Sequence, residues 1–141
     1  MLVGTQLTTL PESIGNLSSL IELNLWSNQL TTLPESIGDL RNLTSLDLIS
    51  NQLTSIPGSI GNLTSLKFLK LSYNQLTTLP DSIGNLRSLV ILWLFNNQLT
   101  TLSESICNLP SDCYIGFDNH CLSEDFHFEC IDDWGEQDCE E

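Results

Sequence analysis

Leucine and isoleucine recur along this chain at fixed positions, with polar residues filling most of the places between them. The segment "NQLTTLPESIGDL" at residues 28–40 returns with small changes at 51–63, 74–86 and 97–109, so that the pattern repeats every 23 residues. A unit of this length buries its apolar side only by stacking on its neighbours. The pattern therefore predicts a repeat array over residues 1–109, made of one partial copy and four further copies.

Each copy contains a stretch in which leucine alternates with other residues, as in "LIELNL" at residues 20–25. Alternation of this kind predicts a short β-strand whose leucines face one way while the intervening side chains face the other. Because such a strand is not stable alone, we expect the copies to stack into a parallel sheet. The leucines and isoleucines of successive copies then form the layers of one continuous core.

An asparagine and a compact return segment follow each predicted strand. The asparagine amide can bond to backbone groups that the turn leaves unpaired. Its copies are Asn28, Asn51, Asn74 and Asn97. The return segment P-x-S-I-G predicts a tight turn or short helix that proline opens and glycine terminates. The prolines are Pro34, Pro57 and Pro80, and the predicted terminators are Gly38, Gly61 and Gly84.

The complete unit, L-x-x-L-x-L-x-x-N-Q-L-T-x-L-P-x-S-I-G-N-L, closely resembles the leucine-rich repeat family over residues 2–109. The resemblance implies an α/β-type repeat solenoid: a right-handed horseshoe with short parallel strands on the concave face and loops or 3-10 turns on the convex face. It also implies that the four asparagines form a ladder. For function, it implies recognition, adhesion or immune-type sensing without catalysis.

Large apolar residues stand at strand positions that face away from the predicted core. Contiguous exposed apolar area usually marks a contact site, and tryptophan and tyrosine are enriched at binding hot spots. We therefore predict that a protein or peptide partner binds the concave face. The predicted contact residues are Glu22, Asn24, Trp26, Asp47, Ile49, Phe68, Lys70, Tyr73, Ile91, Trp93 and Phe95. The alternative is that the C-terminal segment folds back over Ile91, Trp93 and Phe95 as a cap.

The repeat pattern weakens at the end of the array, where Ser103 replaces the proline and Cys107 replaces the glycine. We interpret residues 110–141 as an acidic, cysteine-rich C-terminal cap and tail. Cross-links would stabilise such a short irregular segment, and cysteine-bearing caps are familiar in extracellular members of the family. The disulfide candidates are Cys107, Cys113, Cys121 and Cys130. Pairing of Cys113 with Cys107 or with Cys121 is favoured, and Cys139, near the acidic terminus, is the candidate for an unpaired or intermolecular cysteine.

A zinc site is the alternative use of these cysteines. Cys113, Cys121, His127 and Cys130 are residue types that zinc accepts, but the segment contains no C-x-x-C pair. We therefore predict no metal and no cofactor. The cysteines favour an extracellular or cell-surface location, with a cytoplasmic protein bearing free thiols as the alternative. Asn16, Asn42 and Asn62 begin N-x-[ST] triplets that could bear sugar in a secretory chain, although the repeat itself generates such triplets.

Charge and composition exclude several classes of function. The net charge is −14, and residues 111–141 contain no lysine or arginine, so we predict no nucleic-acid partner. The longest apolar run, Leu89–Phe95, is too short to cross a bilayer, and we predict no membrane insertion. The sequence contains no nucleophile paired with a base and no phosphate-binding loop, so we predict no enzyme.

The N-terminal edge supports a second hypothesis. Because the sequence begins partway through a repeat, we expect Leu2, Leu7, Leu10, Ile14 and Leu17 to lie at an open end of the stack. An apolar edge with unpaired strand groups is a docking surface unless something covers it. The chain would then be a structural unit that forms homo-oligomers through this edge, or a fragment of a longer array whose preceding repeats cover it.

Overall fold

The computed structural model describes residues 2–117 and residue 130, and in this part of the chain one short strand and one 3-10 helix alternate. The strands are β1 (Glu22–Asn24), β2 (Ser45–Asp47), β3 (Phe68–Lys70), β4 (Ile91–Trp93) and β5 (Tyr114–Gly116). The helices are η1 (Glu12–Asn16), η2 (Glu35–Asp39), η3 (Gly58–Asn62), η4 (Asp81–Asn85) and η5 (Glu104–Asn108). None of the helices in the described residues is long and apolar enough to cross a bilayer.

The five strands form one parallel sheet in chain order, from β1 to β5. Each strand pairs with the next one at a shift of one repeat, so that Leu46 lies between Leu23 and Leu69. Neighbours in sequence are therefore neighbours in space, which is the geometry of a stacked repeat. The predicted solenoid of short parallel strands and 3-10 turns is confirmed.

One apolar core runs the length of the stack. The central residue of each of β1 to β4 is a buried leucine, and the leucine that follows the end of each strand is fully buried as well. The core cluster begins at Leu10 and continues to Phe117. Stability in such a stack arises from contacts between adjacent repeats, because no single repeat encloses a core of its own.

The sheet continues further than the sequence analysis predicts. The predicted repeat array ends at residue 109, yet β5 lies at Tyr114–Gly116 and pairs with β4 in the common register. Ile115 pairs with Leu92, and Phe117 is buried in the core. These two apolar residues stand 23 positions after Leu92 and Leu94. They occupy the buried positions of the strand, which are leucines in the earlier repeats.

The glycines of the return segments are not helix terminators, which corrects the prediction for Gly38, Gly61 and Gly84. Each lies inside its 3-10 helix and has an ordinary backbone conformation. A Cβ atom built on Gly61 would lie 2.6 Å from the carbonyl oxygen of Ser82 in the next helix. The equivalent atom on Gly38 would meet Ser59 in the same way. Glycine is required here because successive helices stack too closely to admit a side chain.

Candidate binding face

Three rows of side chains lie on the side of the sheet opposite the core, and we call them the sheet face. The first row contains the first residues of the strands: Glu22, Ser45, Phe68, Ile91 and Tyr114. The second row contains their last residues: Asn24, Asp47, Lys70, Trp93 and Gly116. The third row lies two residues further along the chain: Trp26, Ile49, Ser72 and Phe95. Ten of the eleven predicted contact residues lie in these rows. The rows form because equivalent positions in successive strands are 23 residues apart and lie side by side in the sheet.

The exposure of these side chains differs along the face. Trp26 is 48% exposed, whereas Ile49, Phe68, Ile91, Trp93 and Phe95 are half-buried against their neighbours. The eleventh predicted contact residue, Tyr73, follows the third row by one position and is 57% exposed. The apolar residues are therefore concentrated on the last repeats and partly packed together.

Lys70 connects the polar and aromatic parts of the face. Its Nζ atom lies 3.8 Å from Oδ2 of Asp47 and 4.8 Å from the centroid of the Trp93 ring. The ring centroids of Trp93 and Phe95 are 6.4 Å apart, with a tilt of 56°. An ammonium group between a carboxylate and an aromatic face is held by both. The four side chains therefore form one connected cluster across three repeats.

Asn24 and Asp47 have a structural role that the sequence analysis missed. The side-chain oxygen of Asn24 accepts a hydrogen bond from the backbone N–H of Trp26 at 3.0 Å. Oδ1 of Asp47 accepts the equivalent bond from Ile49 at 3.2 Å. An Asx side chain that bonds two residues ahead ends a strand and starts a turn. These two residues therefore help to orient Trp26 and Ile49.

The C-terminal segment continues the sheet face at β5. Tyr114 lies beside Ile91, and the ring of Phe95 packs onto Gly116, where any side chain would overlap it. Tyr114 is 54% exposed and extends the first row by one residue. Tyr114 is not among the predicted contact residues, although it stands one repeat of 23 residues after Ile91. Residues 118–129 and 131–141, which the capping alternative also involves, lie outside the described residues.

The four asparagines make equivalent hydrogen bonds in four successive repeats. Oδ1 of Asn51 accepts from the N–H of Leu30 at 3.0 Å, and its Nδ2 donates to the carbonyls of Leu25 and Leu48. Asn28, Asn74 and Asn97 repeat this arrangement. These buried amides satisfy backbone groups at the turn and join each repeat to the preceding one.

The cysteines pair differently from the prediction. Cys107 forms a disulfide with Cys130, and Cys113 has a free thiol, so the predicted pairs of Cys113 with Cys107 or Cys121 are wrong. Cys107 replaces the glycine of the return segment, and its partner lies 23 residues away, the length of one repeat. Burial, assisted by the charge of Asp112, raises the pKa of the Cys113 thiol to about 11. Cys121 and Cys139 lie outside the described residues.

The zinc alternative also fails at Cys130, because its sulfur is bonded to Cys107. His127 lies outside the described residues. Among residues 2–117 and residue 130, no group of three histidine, cysteine or acidic side chains is placed to hold a metal ion.

Two family models match this chain. A leucine-rich repeat region model matches residues 1–71, and a model of two leucine-rich repeat copies matches residues 64–111. The chain belongs to the leucine-rich repeat family. This fold is typically an interaction module without enzymatic activity. No curated protein matches the chain.

Several solved leucine-rich repeat structures are similar to the chain. A leucine-rich repeat protein of Leptospira interrogans is 36% identical, with a TM-score of 0.61 over 83% of this chain and 35% of its own. The ectodomain of the Arabidopsis thaliana membrane receptor kinase GASSHO1/SCHENGEN3, solved in complex with Casparian strip integrity factor 2, is 35% identical. Its TM-score is 0.71 over 82% of this chain and 14% of its own.

A chain of the BIR3–SERK2 complex from Arabidopsis thaliana is 33% identical, with a TM-score of 0.69 over 86% of this chain and 68% of its own. The present chain thus spans about a third of the Leptospira protein and a smaller share of the receptor kinase ectodomain.

Proposed function

We propose that this protein is a recognition module that binds a protein or peptide partner on its sheet face, the concave side of the solenoid. The observation behind the proposal is the cluster of half-buried aromatic and aliphatic side chains beside the exposed Trp26 and Tyr73. Apolar surface that the fold leaves accessible in one patch is typical of contact sites. Complexes among the similar plant proteins support protein recognition.

The interface would have an apolar centre and a polar edge. Phe68, Ile91 and Trp93 occupy adjacent strands and supply the centre. The Asp47–Lys70 pair lies beside them and would fix the orientation of a bound chain through hydrogen bonds rather than through net charge. No chemical step is required of any of these residues, which fits a module that binds without catalysis.

Selection from a phage library of random dodecapeptides tests this proposal. Peptides enriched on the wild-type protein should bind it and should be lost when Trp26, Phe68 and Trp93 are all replaced by serine, because the apolar centre is removed. Val90→Ser is the control, since Val90 is 43% exposed, close to the 48% of Trp26, but precedes β4 and lies outside the three rows of the sheet face. Undiminished binding by the triple variant, with its folded circular-dichroism spectrum preserved, would refute the proposal.

We propose an extracellular or cell-surface location. Receptor ectodomains among the similar structures and the Cys107–Cys130 bridge support this location, because disulfides persist in oxidising compartments. Asn16, Asn42 and Asn62 are all exposed, as a glycosylation site must be. Mass mapping of the secreted protein, with and without reductant and glycosidase, tests this proposal, and a protein recovered only with free thiols would contradict it.

Self-association through the N-terminal edge is a second candidate function. Leu2 and Leu17 are exposed at this end, and Ile21 is exposed next to them. Against this, the backbone N–H groups of Leu2 and Gly4 bond inward to β1 and its following residues, and the Thr5 hydroxyl bonds inward to Asn28. Light scattering measures the molar mass in solution and tests this candidate. A dimer that becomes monomeric in the Leu17→Ser variant would support self-association, and a monomer at all concentrations would exclude it.

A further inference from the structure

One backbone position in every repeat adopts the left-handed conformation. The residues of this series are Gly4, Ser27, Ser50, Tyr73 and Asn96, whose φ angles lie between 53° and 65°. Gln6, in the partial first repeat, has a positive φ of 58° as well but does not belong to the series. Each immediately precedes the position of the ladder asparagine, where the chain leaves the strand and turns. Glycine adopts this conformation freely and asparagine adopts it at low cost, but a bulky side chain does so only under strain. Tyr73 is therefore the outlier of the series.

The surrounding hydrogen bonds hold Tyr73 in this strained conformation. Its backbone N–H donates to the carbonyl of Phe95 at 2.8 Å. The next residue, Asn74, is fixed by its bonds to Leu53, Leu48 and Leu71. The backbone of the repeat thus determines φ at position 73 whatever the side chain is.

The fold gains little from a tyrosine at this position. Its side chain is 57% exposed, and the equivalent positions of the other repeats are occupied by glycine, serine and asparagine. A strained residue whose side chain is not needed for packing is a candidate for a functional role. Tyr73 follows Ser72 of the third row of the sheet face by one residue.

The charges of the sheet face indicate the chemistry of the partner. Its charged side chains in the described residues are Glu22, Asp47 and Lys70, and Lys70 is already engaged by Asp47. Glu22 is exposed and forms no ion pair within the described part of the chain. Residues 1–117 contain eight acidic side chains and four basic ones, a net charge of −4. Such a field attracts cationic partners and repels acidic ones.

On the basis of the proposed function, we propose that Tyr73, which borders the sheet face, is the main affinity-determining residue for a partner bound there. Its ligand is a basic peptide segment in which lysine or arginine flanks an aromatic or aliphatic anchor. The anchor contacts Phe68, Ile91 and Trp93, while the phenol ring of Tyr73 covers it from the side and stacks against the cationic side chain.

The test compares Tyr73→Asn with Tyr114→Asn. Both remove an exposed tyrosine, but Tyr114 lies in a strand and does not have a positive φ. Tyr73→Asn should raise the melting temperature by about 3–5 °C because it relieves the strain. Tyr114→Asn should leave the melting temperature unchanged or lower it, because it removes an aromatic side chain from a strand.

The binding measurement uses synthetic copies of the dodecapeptides enriched on the wild-type protein. We expect these peptides to be rich in lysine or arginine beside an apolar residue. Tyr73→Asn should weaken their binding about tenfold or more, the scale of a hot spot, and Tyr114→Asn about threefold or less. The Trp93→Ser variant, measured in parallel, reports on the proposed function itself.

Each remaining outcome overturns a distinct part of the proposal. If Tyr73→Asn does not raise the melting temperature, the strain argument is wrong. If the peptides lose binding to Trp93→Ser but keep it with Tyr73→Asn, Tyr73 is not the affinity determinant while the proposed function stands. Enrichment of acidic peptides would overturn the partner chemistry. If no enriched peptide depends on Trp93, the proposed function fails as well.

Discussion

Asn74 shows how a single buried side chain can join two repeats. Its Oδ1 atom accepts from the N–H of Leu53 at 2.9 Å, and its Nδ2 atom donates to the carbonyls of Leu48 at 3.0 Å and Leu71 at 2.9 Å. All of these groups are buried, so no water replaces the amide if it is lost. An unpaired buried backbone group costs about 1–3 kcal/mol.

Replacing Asn74 by alanine should therefore lower the free energy of unfolding by about 2–5 kcal/mol, because more than one backbone group loses its partner. Urea unfolding measures the change. Gln75→Ala is the matched control: it removes a neighbouring amide whose side chain is exposed, and it should change stability by less than about 0.5 kcal/mol. Equal losses in the two variants would contradict the ladder as a source of stability.

Individual residues also show where sequence analysis reaches its limit. Alternation identifies which leucines are buried, because a strand has only two faces. It does not show that Asp47 bonds to the N–H of Ile49, since that depends on the residue at which the strand ends. Nor does alternation show the backbone strain at Tyr73. The turn of the repeat sets the φ angle there, and the residue type alone does not reveal a positive φ.

At the level of the element, stacking between the 3-10 helices determines one residue of each return segment. A Cβ atom on Gly61 would lie 2.6 Å from the carbonyl oxygen of Ser82 in the following helix. A Cβ atom on Gly58, at the start of the same helix, would have no neighbour within 4 Å. The two glycines share one helix and have ordinary φ angles. They differ only in how closely the next repeat approaches.

Alanine substitution at the two glycines distinguishes the tightly packed position, Gly61, from the open position, Gly58. Gly61→Ala should destabilise the protein by about 1–3 kcal/mol, because a Cβ at 2.6 Å from the carbonyl oxygen of Ser82 forces the helices apart. Gly58→Ala should be neutral or stabilise by about 0.4–1 kcal/mol, since it only restricts the unfolded chain. Thermal unfolding of both variants measures the difference, and a stable Gly61→Ala protein would show that the stack is looser than the structure indicates.

The strands were predicted correctly because the sequence pattern directly reflects which side chains are buried. Period and alternation were sufficient for the strands and their register, because both follow from burying the same leucines in every copy. The role of the glycines was misassigned, since a glycine after a short helix and a glycine packed against another helix look the same in sequence. The last strand was missed because Ile115 and Phe117 replace the leucines that define the pattern.

For the whole molecule, the end of the stack poses the remaining structural problem. Among the described residues, β5 and Phe117 follow the last complete repeat and cover part of its core. Cys107 occupies the position at which the earlier repeats have a glycine packed against the next helix. Here its sulfur forms a disulfide with Cys130. The bridge thus fastens the last helix, η5, to the segment beyond the sheet.

Loss of this bridge should loosen the C-terminal end of the stack selectively. Closing a loop of this length restricts the unfolded chain by about 3 kcal/mol, so the double variant Cys107→Ser and Cys130→Ser should lose stability on that scale. Because each repeat depends mainly on its neighbours, hydrogen exchange should quicken first at Leu94 and Tyr114, whose N–H groups join β4 and β5. Leu25 and Ser27, beside β1, should keep their protection longest.

Cys113→Ser is the control for this experiment, because it removes a thiol and leaves the bridge intact. It should retain the exchange pattern of the wild-type protein. Peptide mapping after alkylation without reductant should label Cys113 only slowly at neutral pH, because its pKa is about 11 and little thiolate is present. Uniform loss of protection along the stack in the double variant, or a bridge that contains Cys113, would show that the C-terminal end is fastened in another way.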